Sequence, residues 1–262
     1  MSTSGKYASA RDPYAVLAHF YDAEHNNITD DILLYRDLSD RAGPYVLDLA
    51  CGTGRVGLSL AAEGKYVIAV DSSDTMLTIA NGKLRRNRVP LELRRLDMRE
   101  LDFNRQFDLV VCALDSFGHL LTVEDQLACL HGVRRALKPG GLFAVDMLNP
   151  NPESLALRDG ALLLQSEFDG PQSQPTKHFA AWTVDYEEQI IRVDHMYDSV
   201  APDGSIRRRQ AGYEIRYVYR LEFELLLRDS GLLVQSIYSD YARNEYSFHG
   251  ERMLFVASRE QE

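Results

Sequence analysis

Three acids and a glycine turn hold the spacing most suited to chemistry in this chain. Asp48 lies inside the apolar run Val46-Leu47-Asp48-Leu49, which enters the turn Ala50-Cys51-Gly52-Thr53-Gly54 directly. A short apolar run ended by glycine reads as a buried parallel strand. Gly52 and Gly54 remove Cβ atoms where the backbone must bend sharply, and so let a ligand come close. Residues 55–63, with Leu58, Leu60, Ala61 and Ala62, read as a helix whose first N–H groups point at whatever the loop holds. Tyr66-Val67-Ile68-Ala69-Val70 reads as a second buried strand. It ends on Asp71, followed by Ser72, where an acid is placed to accept hydrogen bonds from ribose hydroxyls.

Two ligands fit this turn. Gly52-x-Gly54-x-x-Gly57 matches the dinucleotide pattern and Asp71 has the spacing for NAD, so an NAD(P)-dependent oxidoreductase is one alternative. Asp48 points elsewhere. A pyrophosphate has no use for a carboxylate there, whereas a ligand with an ammonium group does. S-adenosylmethionine (SAM) has an ammonium, a ribose, an adenine and no phosphate. Asp48-Leu49-Ala50-Cys51-Gly52-Thr53-Gly54 resembles the first motif of the class I SAM-dependent methyltransferases, with Ala50 where many members have glycine. Leu96-Asp97-Met98-Arg99 is similar to the segment where the family places an acid against the adenine amino group. Gln106 to Cys112 looks like the family's fourth strand, followed by Ala113 and Leu114, and Leu137 to Phe143 looks like the turn into its fifth. Met76 sits where the family packs a methionine or leucine under the adenine, with core packing as the competing reading.

The resemblance covers residues 46–147 well and the rest loosely. It implies SAM as cofactor, held by Asp48, Ala50, Gly52, Gly54, Asp71, Ser72, Met76, Asp97, Met98, Ala113 and Leu114. It also implies methyl transfer to a small-molecule acceptor, on nitrogen or oxygen. A catalytically silent SAM-binding protein is a third reading.

Two residues are candidates for the chemistry. His119 ends Asp115-Ser116-Phe117-Gly118-His119, just past the fourth strand, at the sheet end where open α/β folds bind ligands. Bacterial amino-sugar N-methyltransferases, which the layout also resembles, have a histidine in a similar Ser-x-Gly-His context. His119 is expected to orient or deprotonate the acceptor, against the alternative of a ring packed for shape. Tyr21 in Phe20-Tyr21-Asp22 resembles an N-terminal Tyr-Asp pair that closes over SAM in related enzymes, against a purely structural role. A sulfonium methyl is already activated, so positioning in a dry pocket supplies much of the acceleration, up to about 7–11 kcal/mol. A strong general base is optional.

The elements that must position these residues alternate. Strands are predicted near 45–50, 66–70, 91–96, 107–112 and 142–147, and helices near 55–63, 74–87 and 123–137. Two helical pieces precede them, around Tyr14–Tyr21 and Ile28–Asp40, with a turn at Asn26-Asn27. The alternation predicts an α/β fold, a Rossmann-like seven-stranded, mostly parallel sheet with helices on both faces. Asn149-Pro150-Asn151-Pro152 is expected to break the chain and open a loop through Gly170-Pro171 and Pro175. From about 177 the pattern has period two and predicts an antiparallel insert, with a hairpin turn at Asp203-Gly204. His195, Tyr197, Tyr213 and Tyr217 are candidates for its acceptor wall, where aromatic rings also suit cation–π contact. Tyr219 is expected to share a strand face with Tyr213 and Tyr217. A helix over Leu221–Leu227, stopped at Gly231, and strands near 232–238 and 252–257 complete the core. The expected division is a core of 1–150 with 221–262 and an insert or lid of 151–220.

The 262 residues suffice for one sizeable domain, or for a domain with a subdomain. The net charge of −10 argues against nucleic acid as partner, since such proteins carry a basic footprint. Three cysteines without paired spacing fit a reducing cytosol and no zinc site. Met1 to Arg11 is polar and no signal peptide is expected; no apolar run is long enough to span a bilayer.

Overall fold

Strands read as uniformly apolar runs are buried on both faces, which is the signature of a parallel sheet covered by helices. The computed structural model describes residues 14–259. The reading of Met1 to Arg11 lies outside them. Two helices, α1 (Tyr14–His25) and α2 (Asp30–Ala42), lead into β1 (Tyr45–Leu49). The alternation continues through α3 (Arg55–Ala62), β2 (Tyr66–Asp71), α4 (Asp74–Asn87), β3 (Leu91–Arg95), β4 (Phe107–Cys112), α5 (Val123–Ala136) and β5 (Leu137–Leu148). Next come α6 (Pro152–Arg158), β6 (Leu162–Asp169), β7 (Pro175–Asp185), β8 (Ile190–Val200) and β9 (Ile206–Arg216). The chain closes with α7 (Arg220–Asp229), β10 (Leu232–Tyr238) and β11 (Arg252–Arg259).

The main sheet has the order β10-β11-β5-β4-β1-β2-β3. β1 pairs in parallel with both β2 and β4, so the strand order reverses there. In open α/β sheets a crevice opens at the carboxyl ends of such a switch point. β11 runs antiparallel to β5 and β10. Period two sorts the core: Leu47 and Leu49 face α5 and α7 with Val133 and Phe223, while Val46 faces α2 and α3 with Leu38 and Leu60. The second sheet, β6-β7-β8-β9, is antiparallel throughout.

Two expectations need correction. The stretch after Asn149 is not a continuous loop, since it holds α6 and β6. Asn151 caps α6 by accepting hydrogen bonds from Glu153 and Ser154, and Pro152 occupies the first turn. Asn-Pro here starts a helix rather than breaking one. Strand β6 escapes a period-two reading because Leu162, Leu163 and Leu164 are all exposed on a sheet edge. The face through Tyr213 also stops early. β9 ends at Arg216, and Tyr219 stands at the N-terminus of α7, with its amide donating to Glu222.

Candidate active site

The turn after β1 is held by three residues in the left-handed region: Ala50 at φ 55°, Gly52 at 55° and Gly54 at 80°. Asp71 clasps this turn from the end of β2. One carboxylate oxygen accepts the Gly52 amide at 2.7 Å, and the other accepts that of Ser73 at 2.8 Å. Ser73 then caps α4 through the Met76 amide, which seats the Met76 side chain under the turn. A Cβ on Gly52 would lie 3.9 Å from the Met76 sulfur and 4.0 Å from the Tyr21 ring. The gap between those side chains is a slot open to a ligand.

Asp48 is not on this surface. Its side chain is buried behind the loop, where it accepts the Gly57 amide at 2.8 Å. Burial pushes its carboxyl up to about 7, against the pull of the Gly57 bond and of Arg55. Gly54 likewise serves the backbone, at the N-terminus of α3, and stands away from the cavity described below.

Helix α1 is clamped over the turn by a half-buried polar knot. Asp22 accepts hydrogen bonds from Thr53 and from Lys83, both at 2.6 Å. Arg55, the first residue of α3, pairs with buried Asp31 at the start of α2 and donates to the Ile28 carbonyl. These ties place Tyr21 against the glycine slot, stacked on His25 at 4.2 Å.

A cavity of about 680 Å³ runs from the turn to the second sheet. Ala50, Gly52, Asp71, Ser72, Met76, Met98 and Leu114 line its near end. A pocket of about 230 Å³ adjoins it and shares Ala50, Asp71, Ser72, Met98 and His119 with it, adding Leu96, Asp97 and Arg99. Hydrogen bonds from Arg99 hold the Asp97 carboxyl below the usual carboxylate range despite its partial burial. Ala113 does not reach either cavity; it packs against the core on the α2 and α3 side. Past it, Leu114 and Asp115 are both left-handed, at φ 49° and 61°. Asp146 on β5 supports this strained turn by accepting the Leu114 amide, and is itself bound by Tyr241 and Arg252.

The far end is built from three elements. His119 closes a 3₁₀ turn, Ser116–His119, and its Nε2 lies 2.5 Å from the Tyr14 hydroxyl of α1. The Tyr213 ring meets it edge-on at 5.0 Å. Burial pushes the imidazole down to about 4, outweighing the nearby Asp115 charge and a backbone bond at Glu214. His119 is therefore neutral at pH 7. From the second sheet come His178 and Trp182 on β7, His195 and Tyr197 on β8, and Tyr213 on β9. Tyr217 does not join them; it packs with Leu155 and Ile191 and meets Tyr219 edge-on.

Sequence reasoning passed over several wall residues that carried a signal. Tyr14, Leu17 and Glu24 recur with the candidate Tyr21 at spacings of three and four on α1, and all four line the cavity. His178 shares the face of Ala180 and Trp182 by period two. Arg252 had no such signal, since only the neighbouring β5 gives it meaning.

Known proteins agree with this geometry. The model of a methyltransferase domain matches residues 46–141. YqeM of Bacillus subtilis, provisionally named a methyltransferase, is 28% identical over 223 residues, which cover 82% of this chain and 83% of the relative. The cypemycin N-terminal methyltransferase of a Streptomyces species is 28% identical over 221 residues, 83% of this chain and 84% of that protein. Among solved structures, the sugar N-methyltransferase KedS8 from Streptoalloteichus superposes with a TM-score of 0.77 at 19% identity, over 100% of this chain and 98% of that one. Residues 46–141 thus match a methyltransferase domain, and the relatives of similar length, the sheet order and the acid-clasped glycine turn make the chain similar to the class I SAM-dependent methyltransferases.

Proposed function

We propose that this enzyme methylates an amine on a small molecule seated between the glycine turn and the second sheet. The observation that carries the reading is the cavity of about 680 Å³. Its near end offers Asp71 at the end of β2, Met76 beneath the turn and the Asp97 pocket alongside, which suit a ribose and an adenine. Its far end is a wall of histidine and tyrosine. When bound, SAM supplies an activated methyl group. The chain's own residues shape the dry pocket and hold the acceptor, and Tyr21 and the Asp22–Lys83 knot keep α1 closed over the cofactor end.

An amine fits the wall better than an alcohol does. His119 and His195 are both pushed down to about 4, mainly by burial, so neither ring is a base matched to a hydroxyl. An amine that arrives neutral needs no strong base. Two of the similar proteins named above also carry amine methylation in their names. Asp48 supports the cofactor loop from behind in this reading rather than touching the ligand. The three cysteines are free and buried, which fits a reducing compartment such as the cytosol. Among the described residues no helix is long and apolar enough to cross a membrane.

The test has two arms. S-adenosylhomocysteine should raise the melting temperature and NADH should not; the reverse result defeats the cofactor assignment. Methyl-labelled SAM should label members of a panel of small primary amines and not the matching alcohols. Labelling confined to alcohols overturns the amine assignment.

A further inference from the structure

Across the cavity from His119 lies a second set of titratable side chains that the loop chemistry does not use. Glu24 on α1 stands 2.5 Å from His178 Nδ1, and His178 Nε2 is 2.8 Å from His195 Nδ1. Tyr197 and Ser166 donate to the same Glu24 carboxylate, at 2.8 and 3.2 Å. The rings are held nearly parallel: His178 stacks on Tyr197 at 4.5 Å and on His195 at 5.0 Å. The chain ends at His195 Nε2, which is buried and has no hydrogen-bond partner among the described residues, while His178 Nδ1 meets Glu24 as a close ion-pair contact outside hydrogen-bond alignment.

The order of donors in this row follows from Glu24. Burial alone would raise its carboxyl, but the bonds from His178 and Tyr197 outweigh burial and keep it ionised. An ionised carboxylate only accepts, so the His178 proton faces it from Nδ1. A ring with one proton then accepts at Nε2, and it takes that bond from the His195 Nδ1–H. What remains on His195 is a lone pair at Nε2. An unpaired buried acceptor is costly, and a donor recovers that cost on arrival. Nε2 is buried, and the His195 ring belongs to the cavity wall.

We propose that the row Glu24–His178–His195 fixes His195 to accept an N–H hydrogen bond from the methyl acceptor, and so aims the acceptor's nitrogen lone pair at the methyl group. The proposal rests on the amine reading above. In the transfer the bond between sulfur and the methyl carbon breaks as the bond between nitrogen and that carbon forms. The positive charge moves from sulfur to nitrogen, and no proton need leave during the step. The N–H donor that faces His195 becomes cationic, so its hydrogen bond strengthens as the reaction proceeds, with the Glu24 charge behind the relay. A neighbouring acid that orients a histidine through its far nitrogen plays the same part in other enzymes.

Nitrogen NMR of histidine-labelled protein saturated with S-adenosylhomocysteine tests the row without any acceptor. His195 should show a protonated Nδ1 and a bare Nε2, and His178→Phe should release it into a mixture of tautomers. A proton on Nε2 in the native protein overturns the proposal. With an amine from the labelling panel, His195→Phe should lower kcat by about 100-fold. Its affinity for S-adenosylhomocysteine should stay within about twofold, and His195→Gln serves if the Phe variant does not fold. An unchanged kcat also overturns the proposal. If no amine is labelled, the function reading fails, while the tautomer still decides the relay.

Discussion

The Asp48 carboxylate accepts the Gly57 amide at 2.8 Å, so the third glycine of the loop pattern makes room for a buried acid. A Cβ on Gly57 would fall 2.9 Å from that carboxylate and 3.0 Å from the Leu91 side chain. The glycine lets α3 press against β1 and close over a buried carboxyl group.

Asp48→Asn is predicted to stabilise the protein at high pH. The folded carboxyl titrates near 7, above the 3.8 of a free aspartate. A group raised in this way contributes its stability at low pH and loses it as pH rises through 7. The amide keeps an acceptor for Gly57 and carries no charge. Denaturant titration should show a gain of about 1–3 kcal/mol at pH 8 and almost none at pH 4. Calorimetry should find the affinity for S-adenosylhomocysteine within about threefold of wild type, because the side chain is absent from the cavity wall.

Asp71→Ala should behave in the opposite way. It removes the carboxylate that clasps Gly52 and Ser73 and stands at the cavity edge. The expected loss of S-adenosylhomocysteine affinity is about 100-fold by calorimetry, from the lost hydrogen bonds and the loosened turn together. An affinity like that of wild type would remove Asp71 from the cofactor site.

The two buried imidazoles predict a loss of stability in acid. His119 and His195 both titrate near 4 in the folded chain, against 6.5 for a free ring. Depressed groups contribute their stability above pH 6.5 and lose it as pH falls to 4, because the unfolded chain takes up the protons first. Each ring contributes on the order of 1–3 kcal/mol to that slope. Melting curves of a His119→Gln, His195→Gln double variant should be visibly flatter between pH 6.5 and 4 than those of wild type.

Ala50→Gly tests the strain at the cofactor turn. Ala50 holds φ 55°, where its Cβ costs about 1–2 kcal/mol and glycine pays none. Glycine gives part of that back through the greater freedom of the unfolded chain. A net gain of about 0.5–1 kcal/mol is expected in denaturant titration. A clear loss of stability would show that the methyl group of Ala50 packs usefully against the turn.

The sequence by itself determined the rhythm of the fold. Apolar runs ending at glycine marked β1 and β2, and the order of motifs through Lys138-Pro139-Gly140 matched the strands up to β5. It also brought Asp71, Met76, Asp97, Met98 and His119 to a common end of the sheet, since each follows a parallel strand. Only the tertiary structure decided what these side chains face. Strand periodicity assigns Asp48 to one face of β1, but the approach of α3 makes that face the back of the loop. His119 finds Tyr14 across 105 residues, and Glu24 meets His178 only because the second sheet lies against α1 through β6 and β9. Local patterns record which side of an element is buried, whereas partners so distant along the chain are chosen by the order in which strands and helices pack.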